Sequence, residues 1–139
     1  HPPRGRVDEL LEEVGATGLR DRRVGQLSGG QQQLIRQAQA LANDPDLILA
    51  DEPLLSLDPA RQNATVNKLD SLRRERGTSI IFVTHGINPV LGVTDKVLYI
   101  APNGHTFGPV DEVMRSEVLS ELYGSKVNVL NVDGRLIVV

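Results

Sequence analysis

Two short strings hold the residue types that phosphate and magnesium chemistry needs. Leu27-Ser28-Gly29-Gly30-Gln31 offers a hydroxyl and closely spaced backbone N–H groups where a helix is expected to begin, and the helix dipole favours an anion there. Leu47-Ile48-Leu49-Ala50-Asp51-Glu52-Pro53 ends an apolar run on two adjacent carboxylates, hard oxygen donors suited to a divalent cation. Ser56-Leu57-Asp58 comes next, and Thr84-His85 closes the second apolar run. Each string alone has a plainer reading. Ser28 to Gln31 also fits the S-x-x-[EQ] capping box. Yet paired glycines cost backbone entropy at a helix start, which points to something approaching the backbone closely. A single acid at a strand end is commonly just solvated, and Asp58 before Pro59 is a sound helix cap. His105, beside the Asn103-Gly104 turn, reads as ordinary surface. With no cysteine and no H-x-x-x-H spacing, a nitrogen- and sulfur-ligated metal site is not expected.

The elements that must position these residues can be read from periodicity. Val7, Leu10, Leu11 and Val14 recur at helical spacing, and Gly15 and Gly18 stop the pattern. A glutamine-rich helix runs from Ser28 to about Asn43, with Leu34, Ile35, Ala38, Leu41 and Ala42 as its apolar stripe. Leu47 to Ala50 is short and uniformly apolar, which predicts a strand buried on both faces of a parallel sheet. Asp58-Pro59 starts the next helix and Gly77 stops it; Ser79 to Thr84 is a second strand. The strand, helix, strand order predicts a right-handed parallel crossover. Both strands then end at one edge, where ligands sit in open α/β sheets, and that edge carries Asp51, Glu52 and His85. Further on are a short helix over 89–92, a strand over 96–100 that turns at Pro102-Asn103-Gly104 and returns through Thr106-Phe107, and two short helices over 110–114 and 117–123. Two last strands, 127–132 and 135–139, flank Asp133-Gly134, a strong hairpin signal.

Composition narrows the class. The 139 residues are 40% hydrophobic and 24% charged, ordinary values for a globular domain or part of one. A net charge of -3 argues against nucleic acid as a partner, and the arginines at 20, 22, 23 and at 73, 74, 76 read as solvated surface. No apolar run reaches the ~18 residues of a membrane span, so no direct membrane insertion is expected. His1-Pro2-Pro3-Arg4-Gly5 reads as an exposed linker.

In order and spacing, the Ser28-Gly29-Gly30-Gln31 string, Asp51-Glu52-Pro53, Ser56-Leu57-Asp58 and Thr84-His85 resemble the signature, Walker B, D-loop and H-loop of the ATP-binding-cassette (ABC) ATPases. The resemblance covers His1 to about Gly108. It implies an α/β fold: a partial P-loop ATPase core, a parallel sheet flanked by helices, preceded by the end of the helical subdomain (1–43) and followed within 44–139 by a C-terminal β-hairpin. It also implies ATP and Mg2+ as cofactors. On that pattern Asp51 holds magnesium through water, Glu52 is the general base, and His85 contacts the γ-phosphate. Ser28, Gly29, Gly30 and Gln31 complete a nucleotide pocket on the opposite subunit, and Asp58 orders the interface. The implied partners are a second ABC ATPase subunit and a transmembrane permease subunit that holds the chain against the cytoplasmic face of the membrane.

Departures from the pattern are equally legible. The lysines are Lys68, Lys96 and Lys126, none preceded by glycine, so G-x-x-x-x-G-K-[ST] is absent. The chain is therefore expected to be the C-terminal half of an ATPase domain, inactive alone and prone to self-association through unpaired strands. Leu34 and Gln39 stand where the family usually has arginine, and Gly86 where it often has aspartate. The tail, from Leu119-Ser120-Glu121-Leu122-Tyr123-Gly124 through the hairpin, resembles manganese, zinc or iron importers. Two other roles stay open: a non-catalytic module that regulates a complete ABC ATPase, and a soluble ABC ATPase unconnected with transport.

Overall fold

The computed structural model describes residues 3–139; His1 and Pro2, part of the expected linker, lie outside the described residues. Arg4 and Gly5, assigned to the same linker, instead open helix α1 (Arg4–Glu13), because the Pro3 carbonyl accepts from the Arg6 and Val7 N–H groups at 2.9 and 3.1 Å. The chain divides into two compact units, His1–Thr84 and His85–Val139.

The first unit contains α1, α2 (Gly29–Leu41), β1 (Leu47–Asp51), α3 (Pro59–Arg76) and β2 (Ser79–Val83). Leu10, Leu11, Val14 and Ala16 meet Ala38, Leu41 and Leu72 in its core, so all three helices share one apolar cluster, and Ile48 of β1 packs against it. Charges brace the same helices: Arg6 reaches Asp44 at 2.7 Å, and Arg76 and Lys68 reach Glu13 at 2.6 and 3.5 Å. Helix α3 starts on its Asp58 cap with proline next, and it stops at Gly77, whose φ of 65° is the left-handed conformation glycine supplies cheaply.

Strands β1 and β2 pair in parallel, from Leu47 opposite Ser79 to Asp51 opposite Val83, with α3 as the crossover. The expectation that β1 is buried on both faces is corrected by the structure. Ile48 faces the helices, whereas Leu49 is 71% exposed and its cross-strand neighbour Ile81 is 52% exposed. A parallel sheet is two-sided only when both faces are covered, and among the described residues nothing covers Leu47, Leu49, Ile81 and Val83.

The second unit has its own core of Leu91, Val97, Val113, Met114, Leu119 and Leu122. The short helix expected over 89–92 is a single tight turn at Leu91–Val93. Strands β3 (Lys96–Ala101) and β4 (Gly104–Pro109) pair antiparallel, and α4 (Val110–Val113) and α5 (Ser116–Tyr123) come after them. Strands β5 (Val129–Val132) and β6 (Arg135–Val138) close the hairpin through Asp133 and Gly134, with φ of 50° and 79°, the paired positive values that a tight hairpin turn requires. Side chains tether this tail. The Ser116 and Ser120 hydroxyls accept from the Val129 and Val127 N–H groups, both at 2.9 Å, and the Asn88 amide accepts from the Val138 N–H at 2.9 Å. Tyr99 and Tyr123 meet edge-on with their hydroxyls 3.1 Å apart; burial, then the hydrogen bond to Tyr123, pushes the Tyr99 hydroxyl up to about 12. No helix among the described residues is long and apolar enough to cross a membrane.

The uncovered β1–β2 face predicts that the chain self-associates, and that pairing Leu49→Glu with Ile81→Lys shifts it toward monomer in sedimentation velocity. A chain that is monomeric over a wide concentration range contradicts this. The tyrosine pair predicts a pH effect. Because the folded state holds the Tyr99 proton more tightly, this contribution is intact below the ordinary value near 10 and is lost as pH rises toward 12. Tyr99→Phe should flatten the fall in unfolding midpoint across that window.

Candidate functional site

The start of α2 is built as its sequence demands. Ser28 is extended, its Oγ accepts from the Gln31 N–H at 3.2 Å, and its own N–H donates to Gln31 Oε1 at 3.0 Å. The capping box is therefore real, and it leaves two functions intact. The Ser28 oxygen acts as an acceptor here, so its O–H remains a donor. Gly29 and Gly30 occupy the first two helical positions, where N–H groups have no acceptor within the helix.

Neither glycine has a positive φ. A side chain on Gly29 would meet nothing within 4 Å, so the absence of a Cβ keeps open space in front of the helix start. A Cβ on Gly30 would lie 3.1 Å from Arg61 Nη1. The tip of the exposed Arg61 side chain therefore reaches the neighbourhood of Gly30.

The strand end is the second component. The Glu52 N–H donates to the Val83 carbonyl at 2.8 Å, closing the last pair of the parallel ladder, Asp51 opposite Val83. Glu52 nevertheless has a φ of 46°, and Ser56 comes soon after with 65°. Two non-glycine residues in the left-handed region within five positions store backbone strain, of order 1–3 kcal/mol each. The loop between them is tight: the Leu55 N–H donates to the Glu52 carbonyl and the Leu57 N–H to the Leu54 carbonyl, both at 3.2 Å. Leu54 is buried beneath it and Leu55 is exposed. The loop delivers Asp58, whose Oδ1 accepts from the Arg61 N–H at 2.9 Å and whose Oδ2 lies 3.6 Å from Arg61 Nε.

The first unit thus places Asp51 and Glu52 at the shared C-terminal edge of β1 and β2, and the loop after them delivers Asp58 to the start of α3. His85, expected at that edge, is the first residue of the second unit, directly after Thr84. Among the described residues no group of three or more His, Cys, Asp or Glu gathers to hold a metal ion, so Asp51 and Glu52 form at most part of a ligand set. A surface groove lined by Arg6, Glu9, Glu12, Glu13 and Arg76 contains none of the candidate residues and belongs to the bracing ion pairs. Donors and acceptors suit two separate part-sites: a hydroxyl and amides without helical partners for phosphate at the start of α2, and paired carboxylates for magnesium and water at the end of β1.

Sequence reasoning missed the left-handed backbone at Glu52 and Ser56, which no residue type marks, since neither is glycine or asparagine.

Known proteins resemble the chain along most of its length. The profile of the family described as "ABC transporter" matches residues 3–55. The zinc import ATP-binding protein ZnuC of Alcanivorax borkumensis is 38% identical over 114 residues, 82% of this chain and 44% of that protein. The manganese transport system ATP-binding protein MntB of Halalkalibacterium halodurans is 36% identical over 117 residues, 84% of this chain and 46% of that protein. A structure described as an inward-facing ABC transporter of metal-chelate type superposes with a TM-score of 0.83 at 29% identity, over 99% of this chain and 57% of that one. The chain spans less than half the length of the relatives it matches in sequence.

The strained loop predicts different fates for two Ser56 substitutions. Ser56→Gly should be tolerated, whereas Ser56→Val, a branched residue forced to positive φ, should cost about 1–2 kcal/mol in urea unfolding.

Proposed function

This chain belongs to the ABC transporter family of ATP-binding domains, and from that premise we propose that it forms the C-terminal portion of the ATP-hydrolysing subunit of a metal-ion importer. One observation carries the reading: β1 closes on Asp51 and Glu52 at the ligand-bearing edge of a parallel strand pair, with Glu52 held in a strained left-handed conformation while its N–H still binds Val83. Backbone strain of this kind gathers at functional sites, which supports chemistry at that carboxylate.

Each residue has a role in this reading. Residues 1–43 end the helical subdomain, and 44–139 complete the ATPase core and tail. Asp51 holds Mg2+ through water, and Glu52 polarises the attacking water as general base. The Ser28 hydroxyl, the Gly29 and Gly30 amides and Gln31 face the terminal phosphate of ATP bound to a second ATPase subunit. His85 contacts the γ-phosphate of the nucleotide bound by its own subunit, not the one that Ser28–Gln31 face, and Asp58 orders the interface between subunits. When bound, ATP and Mg2+ supply the reactive phosphoryl group and most of the charge that neutralises it; the chain contributes positioning and proton handling. A permease subunit would hold the assembly at the cytoplasmic face of the membrane. The importer assignment rests on the zinc and manganese relatives and on the likeness to the metal-chelate transporter.

Phosphoryl transfer depends on a cradle of amides and a lysine around the β- and γ-phosphates, and this chain has no G-x-x-x-x-G-K-[ST] to supply it. The chain alone should therefore show no ATP turnover in a phosphate-release assay. Mixing it with a complementary segment that carries a P-loop should restore turnover, and Glu52→Gln should abolish the restored activity. Turnover by the chain alone that Glu52→Gln removes would overturn this division of labour.

A further inference from the structure

We propose that Gln32 and Gln62 are positioning residues, each fixing the peptide that leads into its helix cap and so aiming Ser28 and Asp58; the effect on turnover rests on the proposed ATPase function, the effect on geometry does not. Hydrogen bonds carry the inference. Gln32 Nε2 donates to the Leu27 carbonyl at 3.3 Å and to the Val24 carbonyl at 3.4 Å. On the other side of the Leu27–Ser28 peptide, the Ser28 N–H donates to Gln31 Oε1 at 3.0 Å. A planar peptide held at both its C=O and its N–H cannot rotate without breaking one of them, and its orientation sets where the Ser28 side chain begins. At α3, Gln62 Nε2 donates to the Leu57 carbonyl at 3.2 Å, one residue before the Asp58 cap. Each glutamine is the fourth residue of its helix.

The repetition departs from a common construction of a helix start. A hydrophobic residue before the cap often packs on another apolar residue at the fourth helical position, which sets the entry angle of the chain. Helix α5 follows that pattern: Met114 precedes the Arg115 cap position, Leu119 is the fourth helical residue, and both lie in the core of the second unit. Helices α2 and α3 keep a leucine before the cap, Leu27 and Leu57, but put glutamine in place of the apolar partner. A hydrogen bond fixes direction as well as distance, which apolar contact does not. Electrostatics gives no reason for the choice. The start of a helix favours acidic residues, and glutamate has nearly the helix propensity of glutamine. Ionised glutamate, however, has no donor to offer a carbonyl. The two helix starts that carry glutamine are those that present Ser28 and Asp58.

The first test uses the 139-residue chain and its backbone NMR signals. Gln32→Glu keeps the shape and loses the donor, so the Leu27 carbonyl carbon and Ser28 amide signals should move, and the Ser28 amide should exchange faster with solvent. Gln33→Glu, the same charge change one residue on, should move them far less. Gln62→Glu should displace the Leu57 carbonyl signal in the same sense. Unmoved Leu27 and Ser28 signals in Gln32→Glu, or an equal response to Gln33→Glu, would overturn the proposal. The second test uses the reconstituted ATPase. Gln32→Glu should lower kcat about tenfold with KM for ATP within about twofold of the parent, because a misaimed Ser28 is felt after nucleotide binds to the other subunit. Gln33→Glu should leave kcat within about twofold of the parent. Since an acidic residue suits a helix start, the unfolding midpoint of Gln32→Glu should match or exceed the parent's. An assembly without turnover before any substitution counts against the ATPase function, and the backbone signals then decide the glutamine proposal. An active assembly indifferent to Gln32→Glu, or one that loses activity only in step with stability, overturns the inference.

Discussion

The hydrogen bond from the Glu52 N–H to the Val83 carbonyl, at 2.8 Å, fixes the course of the chain from β1 into α3. It closes the last pair of the β1–β2 ladder, Asp51 opposite Val83, so the chain cannot turn away before the Glu52 amide. The turn must then be made abruptly, through a left-handed Glu52 and a left-handed Ser56, and it ends on Asp58 as the cap of α3. The position of the carboxylate pair and the position of the α3 start are consequently one constraint. A shift of the ladder by one residue would move both and would put Asp51 on the helix-packed face.

At the start of α2, capping satisfies Gln31 and leaves the Gly29 and Gly30 amides without a partner inside the helix. Leu72 of α3, Ala38 and Leu41 of α2, and Leu10 and Leu11 of α1 form a core near the C-terminal ends of α2 and α3, so packing anchors the helix ends while caps define the helix starts.

Much of this was legible in the sequence because the signals were local. Ser28 with Gln31, Asp58 with Pro59, Gly77, and Asp133 with Gly134 each specify a cap or turn within four residues, and each forms as its chemistry dictates. The strands and their parallel pairing were equally legible, from apolar runs and the crossover rule. Properties set by what lies across from a residue were not. The run Leu47 to Ala50 implies two covered faces, yet coverage depends on neighbours, and Leu49 and Ile81 have none among the described residues. Prolines and a glycine around Arg4 suggest a linker, while Pro3 in fact supplies the first carbonyl of a helix. The strain at Glu52 and Ser56 is a matter of backbone angle and has no sequence period to betray it.

The left-handed conformation at position 52 biases the site independently of its chemistry. Glycine and asparagine are at ease there, aspartate nearly so, and glutamate is not. A glutamate at that position holds a conformation its own backbone disfavours, so the pairing to Val83 on one side and the capped start of α3 on the other must supply the ordering that the residue type does not.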